Sequence, residues 1–269
     1  MNNIKKIIGK SYIYLILIIT YIPLIFAFIF SFNKPNHRGF LSFHWNGGTT
    51  ESWTTFFSES RDVALINSVL IAILVTILTL TISLLTVYAL WKQKNKNYEK
   101  VTKTLYSSTL INPDIITAMG LVLIYGLLFG TLSLSREGIL RTVIGHTVIT
   151  LPYSISIMLP ASDKFNKSLF EACQDLGYSK LSSWFRVYVR HMLPTLIFSA
   201  VISIFFSFDD FIITRLVSNT STLGTKLYES RFRGWGLVVG GALMIATLIG
   251  SLIYVIYKNK GNLWKKKIK

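Results

Sequence analysis

The chain has 269 residues, of which 51% are hydrophobic and 15% charged, against about 25% charged in an average soluble domain. Mean hydropathy is +0.50, so apolar runs stand where charge is missing, which argues against a soluble enzyme. A single cysteine excludes an intrachain disulfide framework and a Cys-rich zinc site.

The N-terminal tail carries Lys5, Lys6 and Lys10 and leads into an apolar run over 11–33. That run is longer than a signal-peptide core, and no small-residue cleavage site follows it, so it reads as a retained span. An external loop of about 30 residues comes next; its Trp45, Trp53, Phe56 and Phe57 suit an interfacial helix or lid. Further runs follow over 63–91, 104–130, 139–162, 192–215 and 234–257. Each exceeds the roughly 20 residues a spanning helix needs, and helix is expected because lipid leaves backbone groups no outside partner. Short alternating segments of a β-barrel are absent. The expected class is therefore an all-α membrane protein with six transmembrane helices.

Lys and Arg set the orientation. Three lie in the N-terminal tail, five between Lys92 and Lys103, five between Lys164 and Arg190, and six after Tyr257; these make 19 of the 28. One side of the membrane thus holds most of them, which places both termini in the cytoplasm. The net charge of +16 is then a record of topology, and no nucleic-acid partner is expected. Trp91, Trp235 and Trp264 read as interface anchors.

The cytoplasmic loop over 163–191 is the most informative segment. Phe165, Leu169 and Ala172 recur at helical spacing, and Leu176-Gly177 marks a helix end, with Gly favoured just past a C-terminus. A second, basic and aromatic helix is expected from Lys180 to Met192, ahead of Pro194 and the next span. The loop is thus a short helix, a tight turn and a second helix.

Glu171-Ala172-Cys173, with Gly177 six residues after the Glu, resembles the EAA loop of ABC-importer permeases. Asn112-Pro113-Asp114, His146 with Leu151-Pro152, Ser207-Phe208-Asp209-Asp210 and Lys226-Leu227-Tyr228 follow the same order as in the PotC-type permeases of spermidine/putrescine importers, within the MetI-like permease family. Cys173 replaces a second Ala, and Val189-Arg190 stands where that family often has Leu-Pro. The resemblance implies a single transmembrane permease domain over 1–269 with the MetI-like fold. It implies that Glu171, Ala172, Cys173 and Gly177 couple to a cytoplasmic ATPase. Its implied partners are a PotA-type ATPase dimer, a second, PotB-type permease and an external PotD-type polyamine-binding protein. ATP-Mg would reside on the ATPase, and no cofactor is expected on this chain, which also lacks a P-loop sequence.

Three acids interrupt the apolar runs: Asp114, Asp209 and Asp210. Ionisable residues within spans are costly and mark functional sites by default. Counted along a straight helix, Asp114 lies about 15 Å and Asp209 roughly 22 Å from the cytoplasmic ends of their spans. Pro113 removes a backbone donor and disfavours helix at Asn112, and a broken helix near the midplane is one way to build a substrate site. Spaced carboxylates between apolar or aromatic walls suit a polyammonium chain. The competing reading is that these acids cap helix ends or pair with Arg215. His146 reads as a bonded packing residue, and His37, His44 and His191 show no metal spacing.

Overall fold

The computed structural model describes residues 2–93, 95–129, 137–230 and 233–267; the side chain of Trp264 and residues 130–136 fall outside what is described. Every regular element among them is helical. The chain forms two compact units: Met1–Asp62 with Glu229–Lys269, and Val63–Tyr228.

In the first unit, α1 (Asn2–Phe30) packs along α12 (Gly234–Lys267). The loop after α1 folds back by backbone bonds from Lys34 N–H to Gly47 O and from Thr49 N–H to Phe32 O. Buried Asn33 pins it, donating to the carbonyls of Ser42 and His44 and accepting from Asn46 N–H. A short helix, α2 (Glu51–Thr54), forms in this loop and carries Trp53, which donates its indole N–H to Ser31 Oγ and stacks on Phe32. Buried Arg61 closes the unit, bonding the carbonyls of Thr55 and Phe56, pairing with Glu59 and lying over the Trp235 ring. Trp235 is itself buried. It is a packing residue, contrary to its reading as an interface anchor, because Arg61 and Phe56 cover it.

The second unit holds α3 (Arg61–Gln93) from Val63 onward, α4 (Lys96–Ile111), α5 (Asp114–Phe129), α6 (Glu137–Asp163), α7 (Lys167–Asp175), α8 (Lys180–Ser183), a π-helical segment (Trp184–Val189), α9 (Arg190–Asp209), α10 (Ile212–Val217) and α11 (Leu223–Glu229). Helix α6 lies at its centre and packs on α9, α4, α10 and α5. Hydroxyls join the central helices. Thr79 bonds Thr150, Ser154 bonds both Ser83 and Ser199, and Ser162 bonds Tyr188. Such bonds hold helices together where an apolar surround gives no hydrophobic drive. One end is closed by an aromatic cluster of Trp91, Phe165 and Tyr188, and Trp91 donates to Phe165 O.

Four described helices are long and apolar enough to cross a membrane: Arg61–Gln93, Gly138–Asp163, Lys180–Asp209 and Gly234–Leu252. The pair Lys96–Ile111 and Asp114–Leu128 passes the same test only together and is bent by 107°. The first apolar run lies mostly within α1, whose stretch Tyr14–Phe30 is apolar. The break read from Pro113 forms, and two other expectations change. The run over 104–130 is broken at Asn112-Pro113, where Asn112 is extended, because a residue before proline is driven from the helical region. The straight-helix depth for Asp114 therefore does not hold. The second loop helix does not stop before Pro194; it continues through a π turn into α9, one rod from Lys180 to Asp209. A proline costs an interior helix its N–H bond and crowds the preceding turn, and here the π turn lies just upstream.

Candidate functional site

The turn after α7 forms as its residues dictate. Asn166 caps α7, its side chain accepting from Ser168 N–H. Phe165 thus precedes the helix and is buried in the aromatic cluster, so the expected Phe165–Leu169–Ala172 inner face does not form. Cys173 is buried and Phe170 half-buried, while Leu169, Glu171 and Ala172 are exposed. At the far end Tyr178 N–H bonds Cys173 O and Gly177 N–H bonds Gln174 O. This is the Schellman pattern, and it needs the positive φ of +87° that Gly177 supplies. Gly177 and Leu176 are exposed. Glu171 pairs with Lys167 one turn away, both open to solvent. The turn therefore presents Glu171, Ala172 and Gly177 outward and keeps Cys173 inward.

The acid pair lies where α9 ends. Asp209 is its last residue and is exposed; Asp210 is extended, at φ −67° and ψ 128°. The Asp210 carboxylate accepts from Ile213 N–H and Thr214 N–H and so caps α10. His146 on α6, 1% exposed, places Nε2 3.0 Å from Asp210 Oδ2 and 2.9 Å from Thr214 Oγ1. Its Nδ1 is 2.9 Å from Ser207 Oγ on α9. A carboxylate only accepts, so Nε2 donates to it. One imidazole thus ties three elements together. His146 is a bonded packing residue, and Asp210 takes the capping role rather than opening onto solvent. Its ring partner had no signal in the sequence beyond a lone His in an apolar run.

Asp209 keeps no such tie among the described residues. It lies in sequence between two stacked aromatic pairs, Tyr153–Phe206 with centroids 4.5 Å apart and Phe211–Tyr228 with centroids 4.4 Å apart. Asp114 is exposed at the start of α5, the helix that packs on α10. The backbone of the break is walled by α11. A Cβ on Gly224 would meet Asp210 O at 2.8 Å and Asp209 O at 3.3 Å, and α11 is tied to α3 by Leu223 N–H to Ser68 Oγ. Gly224→Val should push α11 off the break and lower the unfolding midpoint by several degrees. An unchanged midpoint in detergent would show that the break can move aside freely.

Residues 89–259 match the model of a family described as binding-protein-dependent transport system inner membrane component. A Mycoplasma genitalium protein named spermidine/putrescine transport system permease protein PotC homolog is 29% identical, over 96% of this chain and 93% of that one. The Escherichia coli protein named spermidine/putrescine transport system permease protein PotC is 26% identical, over 90% and 91% of the two chains. Among solved structures, a chain of a bacterial ABC transporter involved in the import of the acidic polysaccharide alginate superposes with a TM-score of 0.67 at 14% identity, covering 96% of each chain. That likeness is one of fold.

Proposed function

The chain belongs to the family of binding-protein-dependent transport system inner membrane components, and from that membership we propose that it is the permease subunit of an ATP-driven importer of polyamines. The observation that carries the substrate is the similarity to spermidine/putrescine permeases along almost the whole chain. The exposed carboxylate of Asp209 supports it, since ammonium groups favour carboxylates. An oxyanion would instead want basic groups or helix N-termini.

In this reading the chain crosses the membrane six times, with α1 and the α5 arm of the bent α4–α5 pair among the crossings and both termini in the cytoplasm. The Lys and Arg asymmetry supports that orientation. The outward turn of Glu171, Ala172 and Gly177 docks in a groove of a PotA-type ATPase, which binds ATP-Mg and drives the cycle. A PotB-type permease completes the pathway, and a PotD-type binding protein delivers substrate from outside. Asp209 and Asp114 face the pathway, and Asp210 holds the break in shape.

The test is uptake of labelled spermidine and putrescine by the full partner set in cells lacking their own system. Saturable uptake is expected. No uptake of either would remove the polyamine reading and leave an importer permease for another small solute, such as an amino acid, a metal ion or an oxyanion. Within a working system, Asp209→Asn should raise the KM for uptake about tenfold, the worth of one charge-assisted contact, and leave the amount of complex unchanged. An unaltered KM would remove Asp209 from the pathway.

A further inference from the structure

Helix α4 is built unlike its neighbours. None of its 16 residues is buried, although the helix packs on α6. Tyr106, packed against the aromatic cluster, fixes which way it faces. Two opposed strips remain. On one side Tyr98, Val101 and Leu105 are 59%, 56% and 63% exposed. At 100° per residue they centre almost opposite Lys96, Lys100, Lys103 and Ser107. The second strip lines an open groove of about 810 Å³ together with Glu99, Thr104, Ser108 and Ile111.

The charges in that groove are only partly balanced. Lys103 pairs with Glu99. Among the described residues no carboxylate pairs with Lys96 or Lys100. Ser107 lies on the same side of the helix two turns past Lys100 and three past Lys96. The groove thus offers two ammonium groups one turn apart with no described carboxylate partner, a pair that can recognise a phosphodiester. A helix with low net hydrophobicity, a Lys-rich face and an apolar face opposite it lies in the membrane interface. The 107° bend at Asn112-Pro113 frees α4 from the direction of α5.

We propose that α4 is an interfacial helix whose Lys96–Lys100 groove binds the headgroup of an anionic phospholipid. Tyr98, Val101 and Leu105 enter the acyl boundary, and the two ammonium groups take the phosphate. Residues 104–111 then lie at the membrane surface, and the crossing that follows is made by α5. Charge complementarity selects lipid over a second protein chain: the strip is cationic, and an anionic leaflet attracts each such Lys.

The experiment uses the full chain with its partners in nanodiscs of phosphatidylcholine and phosphatidylglycerol. After extraction, the lipids retained per complex are counted by native mass spectrometry. The wild type should retain phosphatidylglycerol in preference to phosphatidylcholine. The double variant Lys96→Gln/Lys100→Gln should weaken that retention about tenfold, and Lys34→Gln, on a different loop, should not. No preference in the wild type, or equal retention in the double variant, would overturn the proposal. A photo-crosslinker in place of Thr104, which lines the same groove one turn after Lys100, supplies an independent readout. Capture of phosphatidylglycerol is expected, and capture of a second permease chain instead would overturn the lipid assignment.

Discussion

Replacing His146 with Ala should cost about 3 kcal/mol of stability, the scale seen when one partner of a buried ionic or hydrogen-bonded pair is removed. The reason is the carboxylate left behind. The Asp210 side chain is 8% exposed and the His146 side chain 1%. Without the ring, Asp210 Oδ2 loses its Nε2 donor and Ser207 Oγ loses its His146 Nδ1 partner. Amides of Ile213 and Thr214 still reach the carboxylate, so the loss is partial. Ser207→Ala removes one neutral bond and should cost only about 1 kcal/mol. Thermal unfolding of the purified protein in detergent gives the order: wild type, then Ser207→Ala, then His146→Ala. Coincident midpoints for all three would mean the network carries no stability. Asp210→Asn should fall between the single-bond variant and His146→Ala, because an amide keeps the shape but loses an acceptor.

Glu171→Lys should abolish transport while leaving the fold intact. Glu171 is exposed and its pair with Lys167 is an open i,i+4 pair, worth about 0.3–0.5 kcal/mol. Stability should therefore hardly move. A basic groove that accepts a carboxylate repels an ammonium, and a like-charge juxtaposition costs several kcal/mol. Uptake should drop about 100-fold or more, at 1.4 kcal/mol per decade, and the ATPase should no longer co-purify with the permease. Full-rate uptake with ATPase still bound would mean that docking does not run through Glu171. Gly177 serves the same turn by a different route, through its backbone angle, so its substitution would disturb docking without any change of charge.

What could be read from the sequence differs in kind from what could not. The apolar runs over 63–91 and 139–162 give α3 and α6 because length and hydropathy act locally. The break after Ile111 follows from Pro113, and the end of α7 from Gly177, both single-residue effects on φ and ψ. Other features depend on partners distant in the chain. Asp210 meets a ring 64 positions away, and no local pattern states that pairing. The inward face of α7 was displaced because Asn166, a cap, moved the helix start past Phe165. Continuity from Lys180 to Asp209 was hidden by Pro194, which marks a boundary in most helices but is carried here within one. The serine stripe Ser199, Ser203 and Ser207 on α9, all buried, was the available clue that this helix faces other helices with polar contacts.

That unbroken helix has a mechanical meaning. Its thirty residues measure about 45 Å at 1.5 Å per residue. Gly177 stands three positions before one tip and Asp209 is the other. A stiff lever of that length converts angle into travel: tipping it by about 5° sweeps the far tip through roughly 4 Å, about the spacing between neighbouring carbons three bonds apart in an alkyl chain. A small rocking at the pivot thus moves a carboxylate by nearly one segment of a threaded chain.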